Sequence, residues 1–101
     1  MAALTPTKKY AGEHAGNEKV KIFTVVPTTA SDTVDLSAYF NEIHAVLACI
    51  TGGLDAALTM VQPTFSGTTV TVATFEQDGT AATDWTDAQL TLYVSGTDEG
   101  I

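Results

Sequence analysis

Apolar and polar residues alternate along several short stretches of this chain, with the two-residue period of a β-strand. Such alternation, rich in β-branched side chains, covers residues 19–26, 33–36, 68–75 and 88–95. In the last stretch, for example, Leu90, Leu92 and Val94 share one face. These stretches predict four strands that each turn one side toward a core.

Two further stretches predict strands of a different kind. Residues 44–51 are apolar on both faces, which is typical of a central strand covered on both sides, and Cys49 within it is expected to be a buried, unreactive thiol. Residues 58–65 contain Pro63, which confines a strand to an edge or a bulge. Ser66-Gly67 predicts a hairpin turn, and Ser37 is expected to cap a short helical turn that ends at Glu42.

About six strands with turn signals between them predict an all-β fold, a single small β-sandwich or barrel-like domain. The 18 threonines favour this fold, because β-branched side chains suit a pleated surface. Residues 19–101 are expected to form this body. Residues 1–18 lack periodicity and are expected to form an extended N-terminal arm.

Charge is divided unevenly along the chain. All four basic residues are lysines within residues 1–21, and ten of the twelve acidic residues follow them. The body is therefore strongly acidic, which excludes nucleic-acid binding and argues against an anionic membrane as a partner. Lys8 and Lys9 are balanced by two glutamates within residues 1–18, so that arm contacts are expected to depend on backbone pairing and burial of Leu4 and Tyr10.

Candidate catalytic chemistry is sparse. His14 lies in the predicted arm and His44 begins an apolar strand, and the serines are not in a nucleophile-elbow sequence. We therefore expect no enzyme activity and no cofactor. The single cysteine excludes an internal disulfide, and the absence of an apolar leader at the N-terminus predicts synthesis in the cytoplasm.

The polar loop of residues 76–87 leaves two questions open. Asp78, Asp84 and Asp87 carry the oxygen ligands that calcium prefers, but their spacing is not that of an EF-hand, and turns with solvated carboxylates are the simpler interpretation. No metal site is predicted. Trp85 is able to contact a sugar or a partner, but we favour its packing against the small core.

Four segments resemble small structural proteins of tailed-phage virions, which are short, rich in Thr, Ala and Gly, and poor in arginine. They are VKIFTVVPTTASDTVDLSAYF (residues 20–40), SGTTVTV (66–72), DGTAATDW (78–85) and LTLYVSG (90–96). Within that group, the size and acidity of the chain are most similar to those of capsid decoration (cement) proteins. The resemblance implies a non-enzymatic protein on the outer capsid surface that stabilises the shell.

On this hypothesis, the arm residues Leu4, Lys8, Lys9 and Tyr10 contact the major capsid protein, and Trp85 is a further candidate contact. Copies of the chain are expected to associate, with trimers at threefold positions as one possibility. Two alternatives stay open: a tail or head–tail connector component of the virion, and a carbohydrate- or calcium-binding β-sandwich module.

Overall fold

The computed structural model describes residues 2–13 and 18–99. Eight strands form two four-stranded sheets: β1 (Ala3–Leu4), β2 (Thr7–Glu13), β3 (Glu18–Val25), β4 (Ser31–Asp35), β5 (Glu42–Gly52), β6 (Met60–Ser66), β7 (Thr69–Phe75) and β8 (Gln89–Thr97). Sheet A has the strand order β1-β4-β7-β6, and sheet B has the order β2-β3-β8-β5. The all-β prediction is confirmed, although the structure has eight strands instead of about six.

The strand pairing is antiparallel apart from β1, which runs parallel to β4. Alternate residues of each strand point between the two sheets, as the burial of Leu90, Leu92 and Val94 on β8 illustrates. Phe23 on β3 lies at the centre of this core, with its ring edge-on to those of Tyr39 and Phe40 at 5.0 and 6.3 Å between centroids. The arrangement is that of a small β-sandwich, in which the inner faces of two sheets share one core.

Trp85 belongs to a second apolar cluster, with Leu58, Ala82 and Ala88. Its indole Nε1 donates a hydrogen bond of 3.1 Å to the Thr74 hydroxyl group. This agrees with the prediction that the side chain packs against the core, and the polar end of the indole is satisfied there.

The N-terminal segment differs from the expectation. The structure shows no projecting arm within residues 2–13, since β1 pairs with β4 and β2 pairs with β3. The segment thus contributes an edge strand to each sheet. The buried carboxylate of Asp32 accepts a hydrogen bond of 3.0 Å from the Ala2 amide, and this contact fixes the first described residue of the N-terminal segment. His14 lies outside the described residues.

Strand β5 also corrects the prediction made for residues 44–51. It pairs with β8 on one side and lies at the edge of sheet B, so that it is not a central strand. Only one of its faces meets the core, and Cys49, which was expected to be buried, is exposed on the other. The local pattern was misleading because both faces of this edge strand are apolar.

The turns follow their sequence signals in part. Gly67 adopts a φ of 61° in the β6–β7 hairpin, and Pro63 lies on an edge strand, as predicted. Between β4 and β5 the amides of Tyr39 and Phe40 both donate to the Leu36 carbonyl, which makes a single turn and no helix. The carboxylate of Asp35, and not the Ser37 hydroxyl, marks the start of this turn, because it accepts a hydrogen bond from the Ser37 amide.

Residues 2–13 and 18–99 contain no helix long and apolar enough to cross a membrane.

Candidate functional site

The outer face of sheet B carries a row of large apolar side chains in direct cross-strand register. Tyr10 on β2 is opposite Ile22 on β3, Ile22 is opposite Tyr93 on β8, and Tyr93 is opposite Leu47 on β5. Tyr10 is 55% exposed, Tyr93 48% and Leu47 71%. We call these four residues the apolar row, which spans the sheet over roughly 14 Å.

On β3, β8 and β5 the positions beside the apolar row carry no charge. On one side Val20, Ser95 and Ala45 are in register across β3, β8 and β5, and on the other side Thr24, Thr91 and Cys49 are in register. A shallow depression of about 270 Å³ lies beside the row and is lined by Val20, Ala45, Leu47, Tyr93, Val94 and Ser95. Contiguous exposed apolar surface of this kind marks sites of interaction with other macromolecules.

The outer face of sheet A has a different chemistry. Its central row consists of Ala3, Thr33, Thr71 and Thr64 on the four successive strands. Hydroxyl groups dominate this face, and such a surface is well hydrated. The two sides of the sandwich are therefore unlike, one adapted to water and the other to contact with apolar surface.

Burial of the apolar row against a partner would contribute substantial free energy to binding. Complete burial of a leucine side chain contributes about 1.5–3 kcal/mol, so that covering the exposed 71% of Leu47 is worth about 1–2 kcal/mol. The tyrosines combine a large apolar ring with a hydroxyl group that is able to hydrogen-bond at an interface. This composition is typical of the centre of a protein–protein contact.

One end of the face is bounded by an ionisable cluster. His44 Nδ1 lies 2.8 Å from a Glu18 carboxylate oxygen, and its Nε2 lies 2.6 Å from the Glu42 carboxylate. Hydrogen bonds to Glu18, and then to Glu42, raise the pKa of His44 above its ordinary value of 6.5. The imidazole contacts a carboxylate on β3 and another on β5, and so links these strands across the intervening strand β8.

Lys21 occupies an inward position on β3 and is 7% exposed. Its ammonium group donates a hydrogen bond of 2.6 Å to the Tyr39 carbonyl, lies 2.9 Å from the Asp98 carboxylate, and sits 5.0 Å from the centroid of the Phe40 ring. The hydrogen bond from Lys21 lowers the pKa of Asp98. Lys21 is thus a structural residue that fastens the segment after β8 to the end of the core.

The candidate contact residues predicted from sequence are placed in several environments. Leu4, on β1 of sheet A, packs against the core, while Lys8 and Lys9 are exposed on β2. The Lys8 ammonium lies 5.8 Å from the centroid of the Tyr39 ring. Only Tyr10 belongs to the apolar row.

Three members of the apolar row, Ile22, Leu47 and Tyr93, were missed from sequence. The sequence indicated part of this surface, because β5 is apolar on both faces, and an apolar face that does not meet the core has to be covered by something else. A local pattern does not say whether another strand, a neighbouring layer or a partner provides that cover.

The aspartates of the loop between β7 and β8 serve its own turns. Asp78 accepts hydrogen bonds from the amide and hydroxyl groups of Thr80, and Asp84 does the same for Thr86. These hydrogen bonds lower the pKa of both carboxyl groups. Within residues 2–13 and 18–99 no three His, Cys, Asp or Glu residues are grouped to hold a metal ion.

Comparisons with protein family models, with curated proteins and with solved structures found no match to this chain.

Proposed function

We propose that this chain is a non-enzymatic capsid decoration (cement) protein, which binds the outer surface of a phage head and stabilises the shell. The observation that carries the proposal is the uncharged apolar row on one face of a sandwich whose opposite face is rich in hydroxyl groups. The resemblance of residues 20–40, 66–72, 78–85 and 90–96 to phage structural proteins supplies the virion context.

Such a two-sided body suits a protein that lies flat on a larger assembly. The outer face of sheet B would cover apolar surface of the major capsid protein, and the hydroxyl-rich face of sheet A would meet solvent. Lys8 and Lys9 are exposed on the edge strand β2 next to Tyr10 and would lie at the border of this contact, with Lys8 turned toward the Tyr39 ring. The N-terminal segment thus contributes to the contact as part of sheet B.

Stabilisation of the shell follows from mass action. A protein that binds the assembled lattice and not the dissociated subunits shifts the equilibrium toward assembly. Each contact of a few side chains is weak after the loss of translational and rotational freedom, and repetition over the lattice makes the total large. The net charge of −8 keeps the unbound protein soluble and repels stray DNA.

The proposal is tested with two variants that introduce the same charge on opposite faces. Tyr93→Asp alters the centre of the apolar row, and Thr71→Asp alters the central strand of sheet A. Both are mixed with capsids that lack the chain, produced from the genome that encodes it, and occupancy is measured by sedimentation and gel densitometry. Circular dichroism confirms that each variant is folded.

We expect Tyr93→Asp to weaken binding by about 10-fold or more, since a charge at a buried contact costs at least ~1.4 kcal/mol. Thr71→Asp should bind as the wild type does. Equal occupancy of the two variants, or a loss confined to Thr71→Asp, would refute the assignment of the binding face.

A tail or head–tail connector role is the alternative in the same virion, because the apolar row would serve equally between subunits of a ring. Copy number separates the roles, since a closed ring holds about six or twelve subunits. A carbohydrate-binding role has less support, because the Trp85 indole is engaged by Thr74 and the second apolar cluster. Fluorescence titration of Trp85 with glycans or calcium tests that role.

A further inference from the structure

The four edge strands of the sandwich are protected to different degrees against pairing with another chain. Strand β1 has two residues, β2 carries Lys8 and Lys9 with a register shift between Lys8 and Tyr10, and β6 contains Pro63. Short length, lysines, bulges and proline all oppose edge-to-edge pairing. Strand β5 is 11 residues long, and residues 45–52 within it contain neither a charge nor a proline.

The unprotected part of β5 is also regular. Its register shifts lie between Ile43 and Ala45 and between Ile50 and Gly52, near the two ends of the strand. Between them, six consecutive residues from Ala45 to Ile50 pair with β8 without interruption. On its other side β5 has no partner among the described strands. A regularly paired, uncharged segment whose other edge is hydrogen-bonded to no described strand is a template for a further strand, although β6 of sheet A packs nearby.

The apolar row ends on this edge at Leu47, which favours a second copy that continues the row, and the distribution of charge then favours one direction for that copy. If the partner strand is β5 of a second copy, antiparallel, with Leu47 opposite Leu47, then Ala45 lies opposite Cys49, and Glu42, beyond the register shift, lies near the uncharged end of the partner strand at Gly52. The two Glu42 residues are then roughly 34 Å apart, well beyond the Debye length of about 8 Å at physiological salt. Parallel pairing would instead place Glu42 beside Glu42, which is unfavourable.

We propose that two copies of this chain associate through antiparallel pairing of their β5 strands about a twofold axis. The two sheets B then form one eight-stranded sheet, and the apolar row of one copy continues through Leu47 into that of the other. Each Leu47 side chain gains the other as a cross-strand neighbour and loses part of its exposure. The inference does not depend on the capsid role, because self-association is measured on the purified chain alone.

The first test compares two leucines of similar exposure. Leu47 is 71% exposed at the proposed axis, and Leu54 is 66% exposed outside β5. Sedimentation equilibrium of the wild type should give twice the chain mass of 10.5 kDa. Leu47→Lys places two ammonium groups opposite each other and should weaken the dimer by at least 10-fold, whereas Leu54→Lys should leave it unchanged.

The second test reads the register by cross-linking. In the proposed pairing, the two native Cys49 thiols are about 14 Å apart and do not form a disulfide. Ala45→Cys places a new thiol directly opposite Cys49 of the second copy, within the distance that a disulfide spans. Mild oxidation should link this variant into a covalent dimer, while the wild type and Thr51→Cys, whose new thiol lies beyond the regularly paired residues 45–50 and opposite no cysteine, stay unlinked.

Several results would overturn the proposal. They are a wild-type monomer at all concentrations up to the millimolar range, a trimer that survives Leu47→Lys, and cross-linking of Thr51→Cys as efficient as that of Ala45→Cys. A partner other than a second copy on β5 would give the first of these results.

Discussion

The carboxylate of Asp32 is the buried group on which the docking of the N-terminal segment depends, and its removal gives the sharpest test of the fold. It accepts hydrogen bonds from the amides of Ala2 at 3.0 Å, Thr28 at 2.8 Å and Thr29 at 3.1 Å, and from the Thr29 hydroxyl group. Asp32→Asn retains one acceptor oxygen but turns an NH₂ group toward backbone amides that need an acceptor.

The expected cost follows from those contacts. A buried amide left without an acceptor costs about 1–3 kcal/mol; these bonds are partly buried and the variant leaves one or two amides without an acceptor, so that we expect a loss of roughly 1–3 kcal/mol. This is a large share of the 5–15 kcal/mol typical of a small domain. Urea denaturation followed by Trp85 fluorescence measures the loss. Asp35→Asn, at an exposed position of the same strand, is the matched control and should shift the midpoint much less.

The same carboxyl group predicts a pH dependence. Burial raises the pKa of Asp32, but the hydrogen bonds from Thr29, Thr28 and Ala2 outweigh this and hold it below the ordinary value of 3.8. The stabilisation is therefore complete above that value and is lost as the pH falls through the lowered pKa. The difference between wild type and Asp32→Asn should shrink in acid. A difference that grows in acid, or equals that of Asp35→Asn at pH 7, refutes the reasoning.

Three further predictions concern other parts of the sandwich. The imidazole of His44 should titrate above pH 6.5 by NMR, because hydrogen bonds to Glu18 and Glu42 raise its pKa, and its midpoint should return toward 6.5 in Glu18→Gln. The ion pairs exist below the raised pKa and are lost above it, so an unshifted wild-type midpoint would contradict them. Trp85→Phe, which loses the indole hydrogen bond to Thr74 and the single tryptophan of the chain, should lower the free energy of unfolding by about 0.5–1.5 kcal/mol in urea denaturation followed by circular dichroism. An unchanged value would contradict that hydrogen bond. Gly96→Ala should lower the free energy of unfolding by roughly 1–3 kcal/mol in the same assay, because the added Cβ would lie 2.1 Å from the Glu42 carbonyl oxygen. An unchanged midpoint would show that β5 moves to make room for the methyl group.

Much of the fold could be predicted from local patterns. Alternation in β7 and β8 places Val70, Val72 and Leu92 in the core because the side-chain period of a strand is two residues. The N-terminal strands could not be predicted in this way. Residues 3–4 and 7–13 are held at sheet edges by main-chain pairing and by Asp32, and edge strands need no apolar alternation.

The candidate site was harder to predict for a related reason. Residues 44–51 read as a strand that is covered on both sides, and the structure shows that the chain itself covers one side only. Ile22 and Tyr93 reach the same face because β3 and β8 are neighbours in sheet B, a pairing between residues far apart in sequence. A local pattern predicts the strand and its two apolar faces, but it does not predict the order of strands in the sheet.

The most direct measurement of the central claim is the copy number and orientation of this chain in purified phage particles of the genome that encodes it, by cryo-electron microscopy. The account predicts hundreds of copies on the outer shell, with Tyr93 and the rest of the apolar row turned toward the major capsid protein and Thr71 toward solvent. Absence from the particle, a ring of about six or twelve copies at the tail, or the opposite orientation would contradict it.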